Sequence, residues 1–377
     1  MDFETYRELF PVTKQFVFFN HAATSPSSVR VVSAISDFYN ACANQASKDY
    51  KKWMSEVEVT RTRVAQFIHG YADEIAFVGN TSEGLSTVAL GFKWKPDDVV
   101  LVTVPDFPAN IYPWMHLQAR GVRVNYIQRR NGRIDVEDIK KALVPKTRML
   151  VLSSVDYVTG FSADLEEIGK FCKEKGLFFC VDAIQSLGII PMDVKKFGIH
   201  FLAAGGHKWL TGPMGIGILF IDRDVNTWVT PTKIGWKSVV NEEDFQIHFN
   251  LKKDALRFEP GTMNLSGIFG LGAAIELLDE IGVENIYKKV MSLNDYLIHH
   301  LKEHNLMICS PSNKTERSGI LSFKPAGDPV KCFEFLSSKH IMVSLRNNNI
   351  RLSPHFYNNT TSDAAALIGA LDTLCRT

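Results

Sequence analysis

Lys208 lies between two strand-like apolar runs in the segment IHFLAAGGHKWLTGPMGIGILFI, directly after two glycines and His207. The preceding strand-like run, LFFCVD, ends on Asp182. Because ligands bind beyond the carboxyl ends of parallel strands, both side chains are expected to face one crevice. A carboxylate at a strand end is equally suited to cap a following helix, so Asp182 alone leaves both roles open.

The segment GNTSEGLSTVALG supplies a second group of polar side chains. It predicts a strand that passes through Asn80, Thr81 and Ser82 into a helix. Hydroxyls and free backbone N–H groups at a helix start form a phosphate site, which the helix dipole favours. The alternative is simple capping, since Ser82 is a good N-cap residue.

A phosphate site, a strand-end carboxylate and a lysine together meet the needs of one cofactor, pyridoxal 5'-phosphate. Lys208 would form a Schiff base with the aldehyde of the cofactor. Asp182 would keep the pyridine nitrogen protonated, so that the ring can accept electrons. Such a charge-assisted hydrogen bond contributes roughly 1.5–3 kcal/mol. The combination predicts a pyridoxal-phosphate site.

The elements that must position these residues alternate between buried strands and helices. Leu165 to Lys175, for example, has apolar residues at helical spacing between two strands. This alternation predicts an α/β fold whose large domain has a mostly parallel seven-stranded sheet. The seven strand-like runs are EIAFVG, VVLVTV, VRVNYI, RMLVLSS, LFFCVD, HFLAAG and GIGILFI.

The pattern changes after Ile221. A polar, loop-rich stretch leads to about Glu259, and a long helical region starts at GIFGLGAAIELLDEIG and reaches about Asn305. The strands and helices that follow indicate a smaller C-terminal α/β domain. We therefore predict an N-terminal segment (1–20), a large cofactor-binding domain (21–260), and a long helix with a small C-terminal domain (261–377).

Composition excludes several classes of partner. The chain has 377 residues and a formal net charge of +1, which gives no electrostatic footprint for nucleic acid or an anionic membrane. Six scattered cysteines without metal-like spacing favour a reducing, cytoplasmic location and predict no metal site. No signal peptide and no membrane-spanning run is recognised.

Motifs along most of the chain resemble one known family in their order and spacing. They are FFNHAATSP, NTSEG, DFPANIYPW, VDAIQSLG, GGHKWLTGPMGIG, RFEPGTMN and IRLSP. The chain resembles the class V aminotransferase family of fold-type I pyridoxal-phosphate enzymes, which includes cysteine desulfurases, kynureninase and isopenicillin N epimerase. The resemblance implies the cofactor, the fold and a homodimer with shared active sites.

The resemblance also implies a role for each matching residue. Lys208 and Asp182 would be the catalytic residues, with Lys208 carrying the cofactor and moving the α-proton. Gln185 would bind the ring hydroxyl, and Phe107 would stack on the ring. The phosphate would be held by three side chains, which are Thr81, Ser82 and His207.

The resemblance implies substrate binding for four further residues and a cofactor contact for Thr262. Arg351 matches the arginine that clamps the substrate carboxylate. Thr262 matches a residue that reaches the phosphate from the other subunit. The motif FFNHAATSP places Asn20, His21 and Ala22 against the substrate.

Three departures distinguish this chain from the desulfurases in the family. Gly205 replaces a hydroxyl residue that contacts phosphate, and Tyr157 replaces an asparagine near the ring hydroxyl. Desulfurases carry their nucleophilic cysteine in a longer loop between the arginines that match Arg346 and Arg351. Here only four residues separate these arginines, and none is cysteine.

The resemblance implies an enzyme acting on an amino acid, and the missing thiol favours an aminotransferase that uses an amino acid and a 2-oxo acid. A lyase or an epimerase of the same family is the alternative. A third hypothesis is a cofactor-binding regulatory protein without catalysis, which the presence of Lys208, Asp182 and Arg351 disfavours.

Overall fold

The computed structural model describes residues 3–376. Within these residues it contains eleven α-helices and thirteen β-strands. The helices are α1 (Phe3–Arg7), α2 (Val29–Gln45), α3 (Tyr50–Phe67), α4 (Thr81–Gly91), α5 (Tyr112–His116), α6 (Val136–Ala142), α7 (Leu165–Lys175), α8 (Leu265–Ile281), α9 (Val283–Glu303), α10 (Pro329–Ser338) and α11 (Ala365–Arg376). The strands are β1 (Val17–Phe18), β2 (Ile75–Val78), β3 (Val99–Val104), β4 (Arg123–Gln128), β5 (Thr147–Ser153), β6 (Phe178–Asp182), β7 (Phe201–Gly205), β8 (Gly217–Ile221), β9 (Met307–Ile308), β10 (Leu321–Lys324), β11 (Ile341–Met342), β12 (Ser344–Arg346) and β13 (Asn349–Leu352).

The large sheet confirms the predicted fold class. Its order is β2-β8-β7-β6-β5-β3-β4, and each strand coincides with one of the seven predicted runs. Strand β8 is antiparallel to both neighbours, β2 and β7, whereas the other pairings are parallel. Strands β6 and β7 are neighbours, so Asp182 and the segment that leads to Lys208 leave the sheet at the same edge.

Helices cover both faces of this sheet, and alternate residues of each strand pack on opposite sides. In β3, Val99 and Leu101 join one apolar cluster, whereas Val100 and Val102 join another. The first cluster includes side chains of α3, α7 and α8, and the second includes side chains of α4 and α5. Burial on both faces explains why these strands are continuous apolar runs.

The predicted long helical region is two helices. Helix α8 ends at Ile281 and α9 begins at Val283, with Gly282 between them at a φ of 81°. Glycine readily adopts a positive φ, which interrupts the helix at this point.

The small domain is built on a four-stranded sheet of order β12-β13-β10-β9. Strand β1 pairs in parallel with β11, and Asn20 forms a bridge with Ser353. Phe19 joins the apolar core beneath the small sheet. The N-terminal segment therefore packs with the C-terminal end of the chain, while the predicted domain boundaries stay a prediction.

Two kinds of feature are absent from residues 3–376. No helix in this range is long and apolar enough to cross a membrane. The same residues contain no cluster of three or more His, Cys, Asp or Glu side chains that could hold a metal ion.

Candidate active site

A cleft of about 400 Å³ opens where β6 and β7 leave the large sheet, and the small domain contributes to its wall. Nine of the predicted site residues line it, which are Ala22, Thr81, Ser82, Phe107, Asp182, Gln185, His207, Lys208 and Arg351. Six of these lie at or shortly after the carboxyl ends of strands β2, β6 and β7. The sheet edge thus gathers side chains that lie far apart in the sequence.

Asp182 is the last residue of β6 and is only 2% exposed. Its Oδ1 accepts a hydrogen bond of 2.9 Å from the backbone N–H of Ile184. A turn follows this bond, so Asp182 does not cap a helix. Burial raises the pKa of Asp182 to about 7, and the positive charge of Lys208 opposes the shift. A cationic group of a ligand would therefore stabilise the charged form of this carboxylate.

Lys208 shares the buried end of the cleft with this carboxylate. Burial lowers the pKa of Lys208 to about 8, with Asp182 opposing and Arg351 assisting the shift. Nζ lies 5.6 Å from the ring centroid of Phe107. A lysine with a lowered pKa has more of the uncharged amine that attacks an aldehyde.

The start of helix α4 forms the polar side of the cleft. Asn80, and not Ser82, is the N-cap, because Asn80 Oδ1 accepts from the backbone N–H of Glu83 at 3.0 Å. Thr81 Oγ1 accepts from the backbone N–H of Gly205 at 2.9 Å, which leaves its own O–H to donate. Ser82 is exposed. These groups fit a phosphate at a helix N-terminus.

The position of Gly205 explains one departure from the desulfurases. A Cβ added to Gly205 would lie 3.1 Å from Cε1 and from Nδ1 of the His207 ring. A side chain at this position would therefore require the imidazole to shift slightly. Burial and the charge of Lys208 lower the pKa of His207, which keeps its ring neutral at pH 7.

Phe107 is held over the cleft by a buried ionic network. Asp106 Oδ1 accepts from the backbone N–H of Phe107 at 2.7 Å and from Ser153 Oγ at 2.7 Å. Asp106 Oδ2 also pairs with Arg129 Nη2 at 3.2 Å. The Phe107 ring packs edge-on against Tyr157, with centroids 5.6 Å apart. An aromatic face is thereby presented to the space above Lys208.

Gln185 lies between the cleft and the protein interior. Its Nε2 donates to the carbonyl of Ala22 at 3.1 Å, and its Oε1 accepts from Trp209 Nε1 at 2.9 Å. Both bonds hold the amide in one place at the cleft wall.

Arg351, in β13, is 1% exposed. Its Nη1 donates to the carbonyl of Tyr157 at 2.7 Å, and its Nε has no hydrogen-bond partner within residues 3–376. Burial and the nearby charge of Arg346 lower the pKa of Arg351 to about 10. An incompletely satisfied buried guanidinium is suited to bind a carboxylate.

A tight hairpin brings Arg346 and Arg351 to the same cleft. Strands β12 and β13 are joined by Asn347 and Asn348, whose φ angles are 48° and 63°. Two positive φ values in a two-residue loop are typical of a type I′ turn, which asparagine tolerates. The shortened segment seen in the sequence is therefore a complete β-hairpin.

Three predicted residues lie outside the cleft lining. His21 is fully buried, and its ring nitrogens bond the carbonyl of Ser353 at 2.7 Å and the hydroxyl of Tyr357 at 2.6 Å. The substrate contact predicted for His21 does not fit this arrangement, because both polar atoms are already used. Asn20 Oδ1 likewise accepts from Ser344 Oγ, while Thr262 lines a separate hollow of about 150 Å³.

Several residues of the cleft wall could not be identified from the sequence. Arg346 was noted only as the start of the shortened segment, yet its side chain lines the cleft. The other contributors are mostly small or apolar residues without a chemical signal of their own, which are Ala23, Thr24, Ala109 and Ile184. Asn80 could have been found, since it precedes the predicted helix and is a preferred N-cap residue.

The donor set of the cleft fits pyridoxal 5'-phosphate. A helix N-terminus with hydroxyls suits the phosphate, a buried carboxylate suits the pyridine nitrogen, and a lysine with a lowered pKa suits the aldehyde. None of the described side chains that line the cleft belongs to a cysteine.

Comparisons with known proteins agree with this geometry. The family model described as aminotransferase class-V matches residues 17–346. A probable cysteine desulfurase of Pyrococcus abyssi is 31% identical, over 99% of this chain and 98% of the relative. The structure of a cysteine desulfurase from Thermococcus onnurineus superimposes with a TM-score of 0.90 at 29% identity, covering 99% of this chain and 98% of the other.

A third similarity concerns the fold. A mutant of the protein C-DES, with glycine covalently linked to its pyridoxal-phosphate cofactor, has a TM-score of 0.89 at 22% identity. The match covers 97% of this chain and 98% of that protein.

Proposed function

Because this chain belongs to the class V aminotransferase family of pyridoxal-phosphate enzymes, we propose that it is a lyase that breaks the Cβ–S bond of a sulfur-containing α-amino acid by β-elimination. The observation that carries the proposal is the two-residue turn at Asn347 and Asn348. It leaves no loop to carry a thiol between Arg346 and Arg351. The substrate class is supported by the relatives, which are named cysteine desulfurases.

The comparisons support the enzyme family and its cofactor, but they do not determine which reaction is catalysed. The chain is a pyridoxal-phosphate enzyme of class V that acts on an amino acid. The predicted aminotransferase is not confirmed, and the relatives favour the lyase alternative. A 2-oxo acid substrate has no support from them.

Three tasks in the proposed reaction fall to residues that line the cleft. Pyridoxal phosphate, when bound, supplies a ring that accepts the electron pair released at Cα. Arg351 binds the substrate carboxylate and thereby orients Cα. The Lys208 amine takes the α-proton, and Asp182 holds the proton on the pyridine nitrogen that makes the ring an acceptor.

β-Elimination asks for no thiol from the protein, because the sulfur leaves with the electron pair of the broken Cβ–S bond. With L-cysteine and one water, the products are sulfide, pyruvate and ammonia, and no oxidant is consumed. Desulfuration would instead transfer sulfur to a protein thiolate and yield alanine. This chemistry favours elimination in a cleft whose described lining contains no cysteine.

The test is a product analysis of the holoenzyme incubated with L-cysteine and, separately, with L-cystine. We expect pyruvate and ammonia in equal amounts, together with sulfide from cysteine. Prior alkylation with iodoacetamide of the partly exposed thiols, which are Cys42 and Cys309 among the described residues, should leave the rate unchanged. Alanine with a protein-bound persulfide would overturn the proposal in favour of a desulfurase, and amino transfer to a 2-oxo acid without pyruvate would restore the aminotransferase.

We also propose that two copies of the chain form the working enzyme. Large apolar side chains protrude from one segment, where Phe245, Ile247 and Phe249 are 82%, 107% and 73% exposed. Covering such side chains favours association. Thr262, outside the cleft of its own chain, would then reach the phosphate of its partner, as the resemblance implies. Sedimentation at micromolar concentration should give twice the monomer mass, and a monomer would contradict this proposal.

A further inference from the structure

Trp209 follows Lys208 directly and is fully buried. Its indole Nε1–H donates to Gln185 Oε1 at 2.9 Å, while Gln185 Nε2 donates to the carbonyl of Ala22 at 3.1 Å. An indole N–H can only donate and a carbonyl can only accept. These two partners therefore fix which end of the Gln185 amide is oxygen and which is nitrogen.

The two partners also differ in their position relative to the cleft. Ala22 and Gln185 line the cleft, whereas Trp209 does not. The nitrogen end of the amide lies on the Ala22 side, and Nε2 retains one further N–H beyond the bond to Ala22. The cleft wall at this point is thus an N–H donor.

We propose that Trp209 is a positioning residue that makes Gln185 present a hydrogen-bond donor, and not an acceptor, to the ring oxygen of the cofactor. A donor at this point favours the anionic form of that oxygen. The inference rests on the bound cofactor and not on which substrate bond the enzyme breaks. Trp209 acts through Gln185 and does not touch the reacting atoms.

Packing against neighbouring residues fixes the orientation of the Trp209 indole. A Cβ added to Gly319 would lie 2.5 Å from Cη2 of Trp209, so the ring packs directly on the glycine backbone. On another side it lies nearly parallel to the His21 ring, with an interplanar angle of 25° and centroids 6.1 Å apart. The orientation of Gln185 is therefore set by the interior of the protein.

The backbone of Trp209 is fixed by the small domain. His355 Nδ1 accepts from the backbone N–H of Phe356 at 2.9 Å, so the proton of the neutral ring is on Nε2. His355 Nε2 accordingly donates to the carbonyl of Trp209 at 3.0 Å. Burial lowers the pKa of His355 to about 4, which keeps this tautomer neutral at pH 7.

Replacement of the indole by a ring without a donor tests the proposal. In Trp209→Phe, the Gln185 amide loses the partner that defines its orientation and can present its oxygen to the cofactor. We expect the pH at which the visible absorption of the bound cofactor titrates to rise by about one unit, since the anionic oxygen loses its donor. Cofactor affinity, measured by fluorescence titration of the apoprotein, should fall by about tenfold.

A second buried tryptophan provides a matched control. Trp114 is also fully buried, but its Nε1 has no hydrogen-bond partner within residues 3–376. Trp114→Phe removes the same atoms from a buried site and should leave the titration midpoint unchanged. An equal shift in both variants would show a general packing effect and overturn the proposal.

A second variant keeps the proposal testable if Trp209→Phe does not fold. Gln185→Met removes the donor directly and preserves Trp209, so it should raise the midpoint in the same direction. An unchanged midpoint in folded Trp209→Phe or Gln185→Met holoenzyme would overturn the proposal. The absorption midpoint does not depend on turnover, so this result is separable from a failure of the proposed lyase reaction.

Discussion

Two pairs of oppositely charged residues in the large domain differ in whether the partners are hydrogen-bonded to each other. Arg61, in α3, binds Glu259 through two hydrogen bonds of 2.6 and 3.0 Å. Arg61 also donates to the carbonyl of Ile75, and Glu259 accepts from the backbone N–H of Phe77. This pair joins a helix, a strand and the segment before Thr262, and its polar atoms are used within the protein.

Asp182 is buried and Lys208 is partly buried, but the two are not bonded to each other. The two side chains, both within the described residues, share neither a hydrogen bond nor an ion pair, and their pKa values are shifted by burial to about 7 and about 8. Their polar atoms are left for a ligand. In this comparison the fully hydrogen-bonded pair is structural, and the pair whose charged atoms are not bonded to each other lies in the cleft.

The largest expected effect is on catalysis at Lys208. Lys208→Ala removes the amine that holds the cofactor and moves the α-proton, so turnover should fall by about 10⁴-fold, equivalent to about 5.5 kcal/mol of activation free energy. Unfolding of the apoprotein in urea should require as much free energy as in the parent protein, or more, because a desolvated amine is removed. Loss of both turnover and stability in this variant would contradict the view that the Asp182–Lys208 pair serves catalysis and the Arg61–Glu259 pair serves stability.

The next largest effect is on stability at Arg61. Arg61→Met leaves Glu259 buried without its partner, so the free energy of unfolding should fall by about 3–5 kcal/mol. Arg63→Met is the control, because Arg63 lies on the same helix and pairs with Glu276 at the surface, at 2.9 Å. Its expected cost is about 0–1 kcal/mol. Equal losses in urea unfolding would contradict the structural role of the buried pair.

The smallest effect concerns the pH dependence of Asp182. Burial raises its pKa from 3.8 to about 7 in the folded apoprotein, so the folded state binds the proton more tightly than the unfolded state. Through this group, stability falls as pH rises from about 4 to about 7. Asp182→Asn carries no such proton and should be more stable than the parent protein at pH 8 by about 1–3 kcal/mol, with no difference near pH 4.

Thermal unfolding of the two apoproteins between pH 4 and pH 8 measures this difference. The same variant should lose most of its turnover when loaded with cofactor, because an amide cannot hold the pyridine nitrogen protonated. A variant that is less stable at pH 8 and fully active would place Asp182 with Arg61 among the structural charges.

The strands, and the polar residues at their carboxyl ends, could be predicted from the sequence because their signals are local. Seven continuous apolar runs identify the strands, and each of Asp182, Thr81 and Lys208 ends or follows one of them at short range. Chain direction then places these residues at one edge of the sheet. The combination of these residues predicted the cofactor, the family resemblance implies the same cofactor, and the comparisons confirm it.

The remaining parts of the site depend on contacts between distant segments. In the motif that contains His21 and Ala22, only tertiary packing decides that Ala22 faces the cleft, while His21 bonds Ser353 and Tyr357, more than 300 positions away. The orientation of Gln185 follows from Trp209 in the same way. Sequence by itself determined which elements form and which chemistry they carry, because burial pattern and residue type are local properties. Tertiary structure decided which side chains face the ligand, because that depends on partners that no local pattern specifies.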